Sequence, residues 1–129
     1  MNKYILFFIC CLSVYLVGCS GKVSVEGTVT YPDGTPLTLG TVIFERENYQ
    51  VAGQIDANGH YRLGEIHSGD GVLPGTYAVR VSAQTGGTSD GESIVKYVAE
   101  KYENTATSGL TCEVNRSRRF DFTVEPFSE

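Results

Sequence analysis

From Thr76 to Ala83 the chain reads Thr-Tyr-Ala-Val-Arg-Val-Ser-Ala, with Tyr77, Val79, Val81 and Ala83 alternating against Thr76, Ala78, Arg80 and Ser82. Successive side chains of a β-strand point to opposite faces, so this period of two predicts a strand with one apolar face. A single apolar sheet face needs a second layer to cover it, which narrows the chain to layered β architectures. The same period recurs. Residues 22–31 set Val23, Val25, Gly27, Val29 and Tyr31 opposite Ser24, Glu26, Thr28 and Thr30, and residues 40–45 set Val42 and Phe44 opposite Thr41, Ile43 and Glu45. Further strands are predicted over 51–55, 60–63, 110–114 (Leu110, Cys112 and Val114 inward) and 119–124, seven in all with 75–83.

The punctuation between strands is turn chemistry. Pro32-Asp33-Gly34-Thr35-Pro36 reverses the chain, Asp56-Ala57-Asn58-Gly59 predicts a hairpin, and Pro74-Gly75 opens the longest strand with a positive φ expected at Gly75. Asn115-Arg116-Ser117-Arg118 predicts a tight turn that folds the last two strands into a hairpin. Residues 84–93 are polar and glycine-rich, with little to bury and little reason to be ordered. Residues 94–102, where Ile94, Val95, Val98 and Tyr102 fall near helical spacing, predict a short helical turn. The expected fold class is all-β, a seven-stranded antiparallel β-sandwich.

The first twenty residues are of another kind. Lys3 precedes an apolar stretch from Tyr4 to Val17, within the range of about 7–15 residues of an export signal and short of the roughly 20 that a membrane-spanning helix needs. Leu16-Val17-Gly18-Cys19 then resembles the bacterial lipobox. The resemblance implies that residues 1–18 are a cleaved lipoprotein signal, that Cys19 is the lipidation site, and that residues 19–21 tether a domain over 22–126 to a membrane. Ser20 after the cysteine is similar to the pattern of lipoproteins sent to an outer membrane. The expected location is the cell envelope. Each buried methylene contributes about 0.8 kcal/mol, so several acyl chains hold a protein stably where one does not.

Cysteine use agrees, because Cys10 and Cys11 fall in the signal and Cys19 goes to lipid, leaving Cys112 without a disulfide partner. Its alternation with Leu110 and Val114 reads as a small apolar side chain in the core. The formal charge is −5, and loss of Lys3 makes the mature chain one unit more acidic. That balance argues against nucleic acid as a partner.

Val25-Glu26-Gly27-Thr28-Val29, Gly34-Thr35-Pro36-Leu37, Gly40-Thr41-Val42-Ile43-Phe44, Asp56-Ala57-Asn58-Gly59-His60-Tyr61 and Leu73-Pro74-Gly75-Thr76-Tyr77-Ala78-Val79 together resemble the carboxypeptidase-regulatory-like module. The stretch from Lys101 to Val114 is similar to small bacterial lipoproteins of this type. The resemblance implies a transthyretin-like (prealbumin-like, Greek-key) sandwich, and it specifies fold more than activity.

Enzymes on similar sandwiches need residues that are missing here. A hydroxyisourate hydrolase would end in Tyr-Arg-Gly-Ser where this chain ends in Pro126-Phe127-Ser128-Glu129, and an intradiol dioxygenase would need a His-x-His pair where only His60 and His67 occur. No catalytic residue and no cofactor is expected. A metal is not expected either. Asp56-x-Asn58 opens like a calcium loop, but Tyr61 and His67 stand where glycine and glutamate are required, and both side chains are better used bonding their own turn. Asp70, Asp90 and Glu92 read as solvated loop residues.

Two binding functions remain. The first is a non-catalytic structural or interaction module that offers a sheet edge or loop face to an envelope protein. The second is a carbohydrate-binding module, which would stack sugars on exposed aromatics. No tryptophan is present, and Tyr49, Tyr97, Tyr102 and Phe127 are the aromatics available. Arg116, Arg118 and Arg119 read as a solvated turn, with contact to anionic headgroups or a cell-wall polymer as the alternative.

Overall fold

The computed structural model describes residues 21–64, 70–87 and 91–129, whose regular structure is mostly strand. In chain order these are β1 (Val25–Thr30), β2 (Thr41–Arg46), β3 (Tyr49–Gln54), β4 (His60–Arg62), β5 (Gly75–Ser82), β6 (Gln84–Thr85), β7 (Val95–Lys96), β8 (Leu110–Val114), β9 (Arg118–Arg119) and β10 (Phe122–Thr123). One 3-10 turn, Glu100–Glu103, and one helical turn, Thr105–Ser108, separate β7 from β8. One sheet runs β10-β1-β4 with β9 also on β1, a second runs β3-β2-β5-β8, and β6-β7 form a ribbon.

The predicted alternation decides which faces are buried. In β1, Val25, Gly27 and Val29 are buried while Glu26, Thr28 and Thr30 are partly exposed; in β5, Tyr77, Val79 and Val81 are buried in the same way. Val25, Val29, Tyr61, Phe122 and Val124 from one sheet side join Val42, Phe44, Tyr77, Val79, Val81, Cys112 and Val114 from the other in one continuous core. Each fully buried aliphatic or aromatic side chain contributes roughly 1.5–3 kcal/mol. Ile43, expected on the wetter face of β2, is also buried. The register sets it between Ala52 and Arg80, and Arg80 reaches across to Glu45 on the same side (Nε to Oε1, 2.6 Å), so neighbours on both flanks screen it from water.

The Asp56–Gly59 turn forms as its sequence predicts. Asp56 Oδ1 accepts the amides of Asn58 (2.8 Å) and His60 (3.0 Å), and the Gly59 amide returns to the Asp56 carbonyl (3.0 Å). The hairpin does not. β3 pairs with β2, whereas β4 crosses to pair with β1 through Glu26↔Arg62, Gly27↔Tyr61 and Thr28↔His60. The two arms share no ladder among the described residues and are joined by the Asp56 amide on the His60 carbonyl (2.9 Å) and an isolated Ala52↔Gly64 bridge. The turn therefore hands the chain from one sheet to the other, which lets Tyr61 enter the core.

A second correction lies at the C-terminus, where the expected hairpin is replaced by another crossing. β8 pairs antiparallel with β5, but β9 and β10 pair parallel with β1, so the first sheet is mixed rather than purely antiparallel. The predicted seventh strand is split at Phe120 and Asp121. Gly27 is the physical reason this packing exists: a Cβ there would collide with the Phe120 carbonyl and stand 2.9 Å from the Tyr61 hydroxyl. With hydrogen in that place, Tyr61 Oη donates to the Phe120 carbonyl at 2.5 Å, and the Phe120 ring meets Phe44 edge-on at 5.8 Å.

Residues 84–102 also depart from expectation. Gln84↔Lys96 and Thr85↔Val95 pair as the ribbon, which orders the first two residues of the segment expected to be unordered, residues 88–90 of it lying outside the described residues. The helical turn predicted over 94–102 is confined to the 3-10 turn that buries Tyr102. Val98 instead bridges to Pro126, and the Phe127 amide reaches the Tyr97 carbonyl, so the C-terminal residues close over this side. The cause is tertiary: Val98 and Tyr102 are wanted by the core, while Ile94 and Val95 stay about half exposed.

Candidate functional site

Three polar surfaces bear the residues from which a function would be built. On the outward face of β1, β4 and β9, strand alternation lines up Glu26, His60, Arg62 and Arg119. Arg62 Nε donates to Glu26 Oε2 at 3.0 Å, His60 Nε2 lies 3.5 Å from the same oxygen, and His60 Nδ1 lies 4.0 Å from Asp56 Oδ2. Arg119 donates to Asp121 Oδ2 and Thr28 Oγ1, both at 2.9 Å. His60 turns opposite ring nitrogens to the two carboxylates, so it bridges them and the three do not aim at one ion. Among the described residues no group of His, Cys, Asp or Glu is arranged to hold a metal.

Turn bonding lowers the Asp56 carboxyl below its ordinary range, first through the Asn58 amide and then the His60 amide. Asp33 is lowered likewise by the Thr35 amide and hydroxyl. Both carboxylates support their turns above the ordinary carboxylate range and lose that support as pH falls through the lowered values. This is the employment that the residue types predict for turns. It leaves neither group poised as a general acid or base at neutral pH.

The second surface is the turn before β9, where an open pocket of about 400 Å³ is lined by Glu113, Asn115, Arg116, Arg118 and Arg119. Arg118 Nη1 donates to the Glu113 carbonyl at 2.7 Å while its guanidinium covers the Phe120 ring at 5.8 Å. Ser117 Oγ accepts the Ser24 amide at 3.1 Å, and the Arg118 amide donates to the Ser24 carbonyl at 3.0 Å. The arginine turn is thereby stapled to the residue that leads into β1. No feature of the sequence reading pointed to this pairing, because Ser24 and Ser117 are 93 positions apart.

The third surface is a shallow groove at the β2–β3 end, lined by Glu45, Arg46, Glu47, Tyr49, Leu73, Thr76 and Ala78. Arg46, which sequence reasoning did not single out, lays its guanidinium 5.4 Å from the Tyr49 ring and 5.2 Å from Tyr77. Gly75 stands here at φ +158, positive as its place before the longest strand predicts. A Cβ at Gly75 would meet the Arg46 guanidinium; glycine makes room for the stacked arginine.

The aromatics available for sugar stacking are otherwise engaged. Tyr102 is buried, Arg46 lies over Tyr49, Lys96 lies 6.0 Å from the Phe127 ring centre, and the Tyr97 hydroxyl stands 3.5 Å from Thr85 Oγ1. No close ring pair among the described residues joins two of these four, and every such pair is tilted or edge-on. Asp70 and Glu92 are exposed. Cys19, His67 and Asp90 lie outside the described residues.

Cys112 sits where its alternation predicts, 2% exposed between Leu110 and Val114 and paired with Tyr77 across the ladder. Burial pushes its thiol upward, against a smaller downward pull from Arg118, and so away from the reactive thiolate. A water-soluble maleimide is therefore expected to modify Cys112 in the native protein far more slowly than in denaturant. Cys112→Ser should cost on the order of 1–3 kcal/mol and Cys112→Val less. Rapid native labelling would contradict the burial.

No protein-family model matches this chain, and comparison with curated proteins gives no match either. Among the described residues no helix is long and apolar enough to cross a membrane.

Proposed function

We propose that this chain is a lipid-anchored protein of a bacterial cell envelope, with a cleaved signal over 1–18, acyl chains on Cys19 and a non-catalytic structural or protein-interaction domain over 22–126. The domain is read as a transthyretin-like β-sandwich related to the carboxypeptidase-regulatory-like modules. The observation that carries the proposal is the sequence Leu16-Val17-Gly18-Cys19, at the end of a short apolar stretch and directly ahead of the first strand residues. Support comes from the folded part, where Val23 already bridges to Val72 and β1 starts at Val25, so a lipid on Cys19 would hold the domain on a short leash.

The non-catalytic reading rests on the polar surfaces. His60 faces carboxylates that serve a turn and an arginine, and burial pushes the Cys112 thiol away from the reactive thiolate. An interaction role draws support from the terminal strands of the second sheet, since β8 offers an outer edge to which an extended partner segment can add. The carbohydrate alternative has no comparable platform. Outer-membrane placement follows from Ser20 alone.

Mass spectrometry of the mature amino-terminal peptide is expected to show Cys19 at the terminus with a lipid-sized increment. Cys19→Ala should abolish that species and leave unprocessed precursor or released domain. A mature protein with an unmodified terminus elsewhere would overturn the proposal.

A further inference from the structure

We infer that the arginine turn of Arg116 and Arg118 is a membrane-contact site that binds anionic lipid headgroups and orients the domain on the bilayer to which Cys19 tethers it. The inference rests on the lipid-anchor reading above and adds a surface to it. Three observations meet at one corner of the molecule. Ser117 and Arg118 are hydrogen-bonded to Ser24, so the turn cannot leave the place where the chain enters β1. Ser24 is five residues beyond Cys19 in the sequence, and five fully extended residues span at most about 18 Å. The turn is therefore kept within headgroup reach of any lipid carried by Cys19.

Charge is the third observation. The chain is acidic overall, at −5, yet three of its ten basic residues lie within four positions here. Their availability differs. Arg119 is committed to Asp121 and Thr28 and lies 4.0 Å from Glu26. Arg118 spends one guanidinium nitrogen on the Glu113 carbonyl and stays exposed. Arg116 is exposed at the lip of the pocket and forms no ion pair among the described residues. Glu113 lines the same pocket, and its backbone carbonyl holds Arg118 in place through Nη1.

A planar guanidinium offers donors in a fork that fits phosphate oxygens, and a basic side chain near an anionic membrane gains attraction that fades within a Debye length, about 10 Å at 0.1 M salt. The tether supplies the proximity that an exposed pair of arginines would otherwise lack. Once the acyl chains hold the domain at the surface, headgroup binding is effectively intramolecular and a weak site is populated.

The test uses the purified mature lipoprotein in vesicles, after mass spectrometry has established the lipid on Cys19. A fluorophore is placed on Asn115→Cys, beside the site, and in a second preparation on Asn58→Cys. Asn58 lies at the far end of β1, next to Gly59, whose carbonyl accepts from Val29. Vesicles carry a headgroup-attached nitroxide quencher, with either about one-third phosphatidylglycerol or phosphatidylcholine alone. Quenching at position 115, not 58, is expected to be strong in the anionic vesicles and to weaken in phosphatidylcholine or at high salt. Arg116→Glu should lower the ratio of docked to undocked domain about fivefold or more. Position-115 quenching that is indifferent to lipid charge, salt and Arg116→Glu would overturn headgroup binding while leaving the anchor intact. An unmodified Cys19 would instead defeat the anchor, and this inference with it.

Discussion

Gly27→Ala is expected to lower the melting temperature of the domain by well over 10 °C. One added methyl group would be driven into the Phe120 carbonyl, with the Tyr61 hydroxyl 2.9 Å away on the same side. Neither neighbour can yield cheaply. Phe120 is main chain held by its own amide on the Glu26 carbonyl (2.9 Å), and Tyr61 is buried with its hydroxyl on that same Phe120 carbonyl. Relief requires the segment between β9 and β10 to move off β1, which also releases Phe122 and Val124 from the core. Overpacking of this kind costs about 3 kcal/mol or more when backbone must move. For a domain of about 100 residues each kcal/mol corresponds to roughly 4–8 °C. Thermal unfolding followed by circular dichroism decides it, with Thr30→Ala on the outward face as the comparison. A melting temperature within a few degrees of the parent would mean that the C-terminal segment does not cross β1 as described.

Phe44→Ala should cost about 3–5 kcal/mol, the range for truncating a buried phenylalanine. Phe44 is fully buried on β2, 5.8 Å from Tyr77 in its own sheet and 5.8 Å from Phe120 in the segment that crosses to the other. Truncation would open a cavity where the two sheets meet, and the surrounding strands, fixed by their ladders, can fill it only in part. Phe44→Leu keeps most of the volume and should cost much less. Urea unfolding midpoints at unchanged slope would give both values. A small loss for Phe44→Ala would show that the two sheets do not share this core.

Strand positions were legible in the sequence because alternation is a local property. Tyr77, Val79 and Val81 in β5, and Val25 and Val29 in β1, declare their buried face from spacing alone, and Cys112 could be placed in the core on the same ground. Turn chemistry was legible for a like reason, since Asp56 satisfies amides two and four residues ahead of it. Strand partnership was not legible in this way. A turn at Asp56–Gly59 or Asn115–Arg118 brings the chain round, but which sheet the next strand joins depends on residues far away.

In the candidate sites the division is the same. Cys19 rests on a local motif, and the arginine turn was visible as three nearby basic residues. Its attachment to Ser24, and the stacking of Arg46 on Tyr49 and Tyr77 in the room left by Gly75, were not visible. Alternation and turn residues by themselves determined that the described residues are mostly β, where most of the core strands lie and which side chains most of them bury, because those preferences act between residues a few positions apart. Only the tertiary structure decided that β9 and β10 run parallel to β1, that Gln84–Thr85 pair with Val95–Lys96 and that the arginine turn stands beside the entry to β1. Those outcomes depend on close approaches, such as the Phe120 carbonyl over Gly27, between residues that are far apart along the chain and meet only when the sheets pack.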